Sequence, residues 1–116
     1  MNLTKNAYDA INGAEDCARK LGHDHIGAEH IFLCILAIPD CQACRRLRAM
    51  GLSLTDLAES LRTSVAGNAT GVLQRGKLPM TARMKKIFDM AELEAGKGAP
   101  VGTVQLVAAI LREGDN

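Results

Sequence analysis

The sequence predicts an all-α fold, a pseudo-twofold bundle of two tandem helical repeats with the second repeat truncated. Three observations predict it. The apolar residues are mainly Ala, Leu, Ile, Val and Met, and proline occurs only at 39, 79 and 100, which suits helices. Apolar positions recur at steps of three and four. The chain also repeats itself: with residues 3 onward set over residues 80 onward, Thr4 falls on Thr81, Ala14 on Ala91, Glu15 on Glu92 and Ala18 on Ala95. After a two-residue deletion the match resumes, with Gly27 on Gly102, Leu36 on Leu111 and Asp40 on Asp115.

Each element follows from its own residues. Thr4 is placed to cap a first helix whose stripe is Ala7, Ile11, Ala14, Ala18 and Leu21, with Gly22 as its stop. "IFLCILAI" is apolar on every side, and a strand is not separable from a helix there by periodicity alone. Its copy, "LVAAIL", carries two alanines and favours helix, so both belong at the centre of a bundle. Pro39 and Asp40 are read as opening a third helix, "DCQACRRLRAM", closed by Gly51. Ser53 caps a fourth, with Leu54, Leu57, Leu61 and Val65 on one face and Gly67 at its end. The second copy begins with a stripe of Met84, Ile87, Phe88, Ala91 and Ala95, ending at Gly96 and Gly98. The expected organisation is one domain over 1–116: repeat one 1–66, a Gly- and Pro-containing linker 67–79, and a partial repeat two 80–116.

Bulk properties remove several function classes. With 14 Lys plus Arg against 13 Asp plus Glu, no net field draws nucleic acid or an anionic membrane. Tyr8, Phe32 and Phe88 are the only aromatic rings of their kind, too few for a base-stacking platform. No apolar run spans a bilayer, and "MNLTKNAYDA" lacks a signal-peptide layout, so a cytoplasmic chain with reduced cysteines is expected.

The richest stretch chemically is "LGHDHIGAEHIFLCIL", residues 21–36. His23, His25, Glu29 and His30 are metal-ligand types, but a loop running into a helix does not supply tetrahedral spacing. Glu29 and His30 are neighbours and point about 100° apart on a helix. The expectation is no metal and no cofactor, with Glu29 complementing the helix dipole and His23 or His30 donating to loop carbonyls. Cys41 and Cys44 form a C-x-x-C before Arg45 and Arg46, which leaves a small redox protein as an alternative. Cys17 and Cys34 fall in apolar stripes and are expected in the core. Arg83, Lys85 and Lys86 read as a solvated basic face.

These residues also carry a family likeness. "LGHDHIGAEHIFLCIL" resembles the repeat of the Clp N-terminal domain of Clp-type AAA+ unfoldases (the ClpA, ClpB and ClpC type), through His23, Ile26, Gly27, Glu29, His30, Leu33 and Leu36. The preceding and following helices resemble that repeat too, so the likeness covers nearly the whole chain. Ala28 departs from the family's usual threonine, so a side-chain cap on the central helix is expected only from Thr103 in copy two. Val104 and Gln105 stand where copy one has Glu29 and His30. No Walker-type phosphate loop is present, so no ATPase activity is expected of this chain.

The resemblance implies a non-enzymatic receptor that captures unfolded or tagged clients or adaptor proteins for a Clp ATPase or protease. Some members of that family recognise phosphoarginine through the glutamate of this motif, which makes Glu29, with Thr4, the candidate client site. Apolar surface between the repeats would hold hydrophobic client segments. A free-standing accessory protein that binds the Clp ATPase or protease is the other binding reading. The missing third and fourth helices of copy two lead us to expect an exposed apolar patch on "LVAAIL", or a homodimer that hides it.

Overall fold

The computed structural model describes residues 1–66 and 76–114. Six helices follow one another: α1 (Lys5–Lys20), α2 (Ala28–Leu36), α3 (Gln42–Ala49), α4 (Leu54–Ala66), α5 (Ala82–Ala95) and α6 (Thr103–Gly114). Among the described residues no strand forms, so the all-α reading holds. Gly67 and most of the expected linker, residues 67–75, lie outside the described residues.

The helix ends form as their residues dictate. The Thr4 hydroxyl accepts from the Ala7 amide at 3.3 Å, and its counterpart Thr81 accepts from Met84 at 3.0 Å. Ser53 does the same for Asp56 at 3.2 Å. At the end of α1, the His23 amide donates to Ala18 and the Gly22 amide to Arg19, a Schellman closure with Gly22 at φ 78°. Gly51, at φ 85°, closes α3 in the same way through Leu52 to Leu47 and Gly51 to Arg48. The third helix starts later than expected. The Cys41 amide donates to the Ile38 carbonyl, so Pro39 and Asp40 are the two central residues of a β-turn and Cys41 is the N-cap.

α2 is the hub, touching all five other helices. Seven of its nine residues are buried, and only Glu29 and Cys34 keep partial access to solvent. α1 presents Ala7, Ala10, Ala14 and Ala18, each buried, and this row of small side chains lets α2 approach closely. Burying one side chain of the Ile31 or Ile35 type contributes about 1.5–3 kcal/mol, so α2 is a large share of the core.

The two copies are joined by reciprocal backbone contacts. Leu3 bridges Val101, with Thr4 donating to Val101 and Val101 to Asn2. Met80 bridges Ile26, with Ile26 donating to Pro79 and Thr81 to Ile26. Met80 is the copy of Leu3 and Val101 the copy of Ile26, so one bridge is the pseudo-twofold mate of the other. Each copy's entry to its first helix thus pairs with the loop before the other copy's central helix.

Two expectations are corrected. Thr103 does not cap its own helix. Its buried hydroxyl accepts from the Ala43 amide at 3.1 Å, satisfying the start of α3 from the other repeat. The "LVAAIL" segment is not left open either: Leu106, Val107, Ala109 and Ile110 are buried and Leu111 alone is exposed, because α5, α3 and α2 pack on α6. No apolar patch of the expected kind therefore calls for a homodimer. At the bridges Ile26 and Val101 are buried, while Leu3 and Met80 keep partial access to solvent.

Replacing Thr103 by Val leaves the buried Ala43 amide without its acceptor. Urea denaturation is expected to show a loss of about 1–3 kcal/mol for Thr103→Val and a much smaller loss for Thr103→Ser.

Candidate functional site

The α1–α2 loop and the first turn of α2 are organised by two buried histidines. The Gly27 amide donates to His30 Nδ1 at 2.9 Å, His30 Nε2 lies 2.6 Å from His23 Nδ1, and His23 Nε2 lies 2.9 Å from the Val65 carbonyl. The two ends of this chain fix its proton positions. An amide can only donate, so His30 Nδ1 accepts and its proton sits on Nε2. A carbonyl can only accept, so His23 carries its proton on Nε2 and receives the His30 proton at Nδ1. Both rings are neutral, and all four ring nitrogens are occupied by hydrogen bonds rather than left open to a metal. Burial first, then His23 and His25, push His30 down to about 4, against an opposing pull from Glu29.

This chain has a structural result. It supplies the N-cap amide of α2 with an acceptor although position 27 is glycine, and it ties α4 to the loop through Val65. Copy two solves the same problem with an amide side chain: Gln105 Oε1 accepts from Gly102 at 2.8 Å. Of the expected loop contacts, His23 reaches a carbonyl, but on α4 rather than in the loop, and His30 accepts from the loop instead of donating to it.

Glu29 stands in the first turn of α2, where the helix dipole favours a carboxylate. Its Oε1 lies 3.6 Å from Arg83 Nη1 of α5, in a partly exposed pair that crosses from one repeat to the other. Its other oxygen folds back over Gly27, where a Cβ would come within 3.2 Å of it. Arg83, read from sequence as part of a solvated basic face, is therefore the resident partner of the candidate carboxylate. The available signal was positional: Arg83 follows its N-cap Thr81 by two residues, as Glu29 follows its N-cap Gly27.

Thr4 and Glu29 are not brought together. Thr4 lies at the opposite seam, in a groove of about 330 Å³ with Lys5, Asn6, Gln42, Gly102 and Thr103. The positions there that match Glu29 and Arg83 are Val104 and Asn6, so that seam lacks the charge pair. Cys41 and Cys44 are buried, with both sulfurs directed at the Ile35 carbonyl at 3.7 and 3.3 Å. Burial pushes the Cys44 thiol up to about 12. A redox C-x-x-C needs an accessible thiolate, whereas both sulfurs here are buried and Cys44 is held protonated. Cys17 and Cys34, expected in the core, are half-buried at its edge, with Cys34 packed against it.

Comparison with known proteins agrees with this architecture. The family described as Clp repeat (R) N-terminal domain matches residues 2–116. An ATP-dependent Clp protease ATP-binding subunit ClpA homolog from Cyanidium caldarium is 32% identical over 115 residues, covering 97% of this chain and 13% of that protein. The chloroplastic chaperone protein ClpC of Pisum sativum is 29% identical over 115 residues, covering 97% of this chain and 12% of its own length. The chain thus spans about an eighth of the length of these relatives. A solved chain, reported with the coevolution of the ATPase ClpV, the TssB–TssC sheath and the accessory HsiE protein in type VI secretion, superposes with a TM-score of 0.77. It is 23% identical, the match covers 98% of this chain and 71% of that one, and it speaks for the fold alone. Among the described residues, no helix is long and apolar enough to cross a membrane.

The depressed His30 makes stability depend on pH. An unfolded histidine takes up a proton near pH 6.5, whereas the fold resists protonation until about 4. Stability is therefore fully present above about pH 6.5 and declines as pH falls toward 4, by about 3 kcal/mol in all. Urea midpoints across that window are expected to fall less steeply for His30→Gln, which keeps an acceptor for Gly27 as Gln105 does for Gly102, even though its midpoint at neutral pH is lower.

Proposed function

The chain belongs to the Clp repeat N-terminal domain family, and on that premise we propose that it is a non-enzymatic module that docks protein clients or adaptors for a Clp-type ATP-dependent unfoldase or protease. The region it matches in the relatives is their Clp repeat domain rather than an ATPase module. The reading takes 1–66 as repeat one, 67–79 as linker and 80–116 as a partial repeat two. The reciprocal bridges of Leu3 with Val101 and Met80 with Ile26 support that division. A cytoplasmic setting suited to free thiols is part of the same reading, although a relative such as the pea protein is named chloroplastic.

The observation that carries the reading is the Glu29–Arg83 pair. A partly exposed carboxylate, fixed at a helix start and already facing a guanidinium, is chemically ready to accept a guanidinium from a client. Arg83 then acts as a built-in competitor. Because the pair is partly solvated, its worth is at most about 1 kcal/mol, and a client arginine can displace it. Thr4 lies at the other seam and plays no part in this contact. Weak capture suits a receptor that hands its cargo onward.

A binding titration with a labelled unfolded polypeptide, plain and arginine-phosphorylated, tests the reading. Glu29→Ala is expected to weaken binding about tenfold, the loss of one charge-assisted contact. Arg83→Ala is expected to strengthen it about two- to fivefold by removing the competitor. Equal binding by all three proteins would remove Glu29 from the site. No binding by any of them would leave the accessory protein, with the Clp ATPase or protease as its partner.

A further inference from the structure

The four cysteines form two pairs of opposite character. Cys41 and Cys44 are sealed in the core on one carbonyl. Cys17 of α1 and Cys34 of α2 lie side by side at the edge of the packed α1–α2 pair, lining the same groove. Cys34 Sγ also packs over Gly13, one turn before Cys17, within 3.4 Å of where a Cβ would sit. Both thiols remain half-exposed and line an open groove of about 360 Å³ together with Asp16, Lys20, Leu33 and Arg62.

The surroundings divide the labour between the two sulfurs. The neighbouring Cys34 thiol favours the Cys17 thiolate, and Arg62 and Lys20 add positive charge near it. Asp16 opposes them, but it is itself paired with Lys20 at 3.4 Å. Together these hold Cys17 down at about 7 despite partial burial, while Cys34 is kept protonated, well above the usual thiol range. A thiolate lining an open groove beside a second thiol has the layout of an attacking and a resolving cysteine.

We propose that Cys17 and Cys34 are a thiol–disulfide exchange site that takes low-molecular-weight disulfides and closes into a bond stapling α1 to α2. The Cys17 thiolate attacks one sulfur of R–S–S–R, forming Cys17–S–S–R and expelling RS⁻. Cys34 then no longer faces an anion, loses its proton to solvent and attacks the Cys17 sulfur. The Cys17–Cys34 bond forms, the mixed bond breaks, and a second RS⁻ leaves. Two protein thiols lose two electrons and two protons, and one small disulfide becomes two small thiols. The two thiols already line one groove on the packed α1–α2 pair, so closing to a bond of about 2.05 Å brings together neighbours rather than distant groups. The staple lies in repeat one, on helices whose loop carries the His23–His30 chain, and it does not involve the Glu29 site.

The test uses glutathione disulfide on the folded chain, followed by intact mass and peptide mapping. Wild type is expected to lose two hydrogens with residues 17 and 34 cross-linked. Cys34→Ser is expected to stop with one glutathione on Cys17, and Cys17→Ser to leave Cys34 reduced. At pH 7, Cys17 in the folded chain is expected to react about three- to fivefold faster than in the urea-unfolded chain, since its larger thiolate fraction outweighs its lower nucleophilicity. Wild type that accumulates the mixed disulfide without closing, or a Cys17 no faster when folded than unfolded, would overturn the proposal. Both of these readings come from wild type, so they stand whether or not a variant folds.

Discussion

The rest of this fold depends on packing α2 against five other helices. A nine-residue helix touched by five others, with seven residues buried, carries unpaired amides at its start and unpaired carbonyls at its finish that little water can reach. Side chains must satisfy them. At the start, His30 accepts from Gly27 and passes the chain of donors to His23 and Val65. Near the finish, the thiols of Cys41 and Cys44 are directed at the Ile35 carbonyl. The residues that looked most like chemistry in the sequence, histidines and a C-x-x-C, are largely the means by which a buried helix is kept satisfied. Glu29 is the polar residue of α2 left with solvent access, and it stands on the end that this chain holds still.

Duplication supplied the frame and divergence the function. The threonine caps at 4 and 81, the glycines at 27 and 102 and the reciprocal bridges keep both halves alike. The first turns of the central helices have separated. His30 has an amide counterpart in Gln105, which caps without titrating. Ala28 faces Thr103, whose hydroxyl serves α3 instead of its own helix. Glu29 and Arg83 have the uncharged counterparts Val104 and Asn6. Two geometrically similar seams thus carry one charge pair between them, and the family's receptor role is proposed for only one of the two.

Much of this was legible in the residues. Helix number, caps and the stops at Gly22 and Gly51 follow from local chemistry, and the internal repeat made α2 and α6 helices where their periodicity was silent. What was not legible depends on contacts between distant residues. Thr103 looked like a cap for α6 because its nearest amides in sequence are there, but Ala43 arrives from sixty residues away. The cover on "LVAAIL" comes partly from α3 of the other copy, which no count of helices within repeat two includes. Cys17 and Cys34 sit on apolar stripes, and only the packing of α1 on α2 reveals a groove at that edge. For Arg83 the sign was its place two residues past a cap, matching Glu29, but the pairing itself depends on how the repeats pack.

The protonation pattern of the two buried rings tests this account most directly. Nitrogen-15 NMR of the imidazoles at neutral pH reports which ring nitrogens carry protons, and a coupling across the short His30–His23 contact reports the direction of that bond. The account predicts neutral rings protonated at Nε2 in both His23 and His30, with the His30 proton shared toward His23 Nδ1. A proton on Nδ1 of either ring would break the chain from Gly27 to Val65 and contradict it.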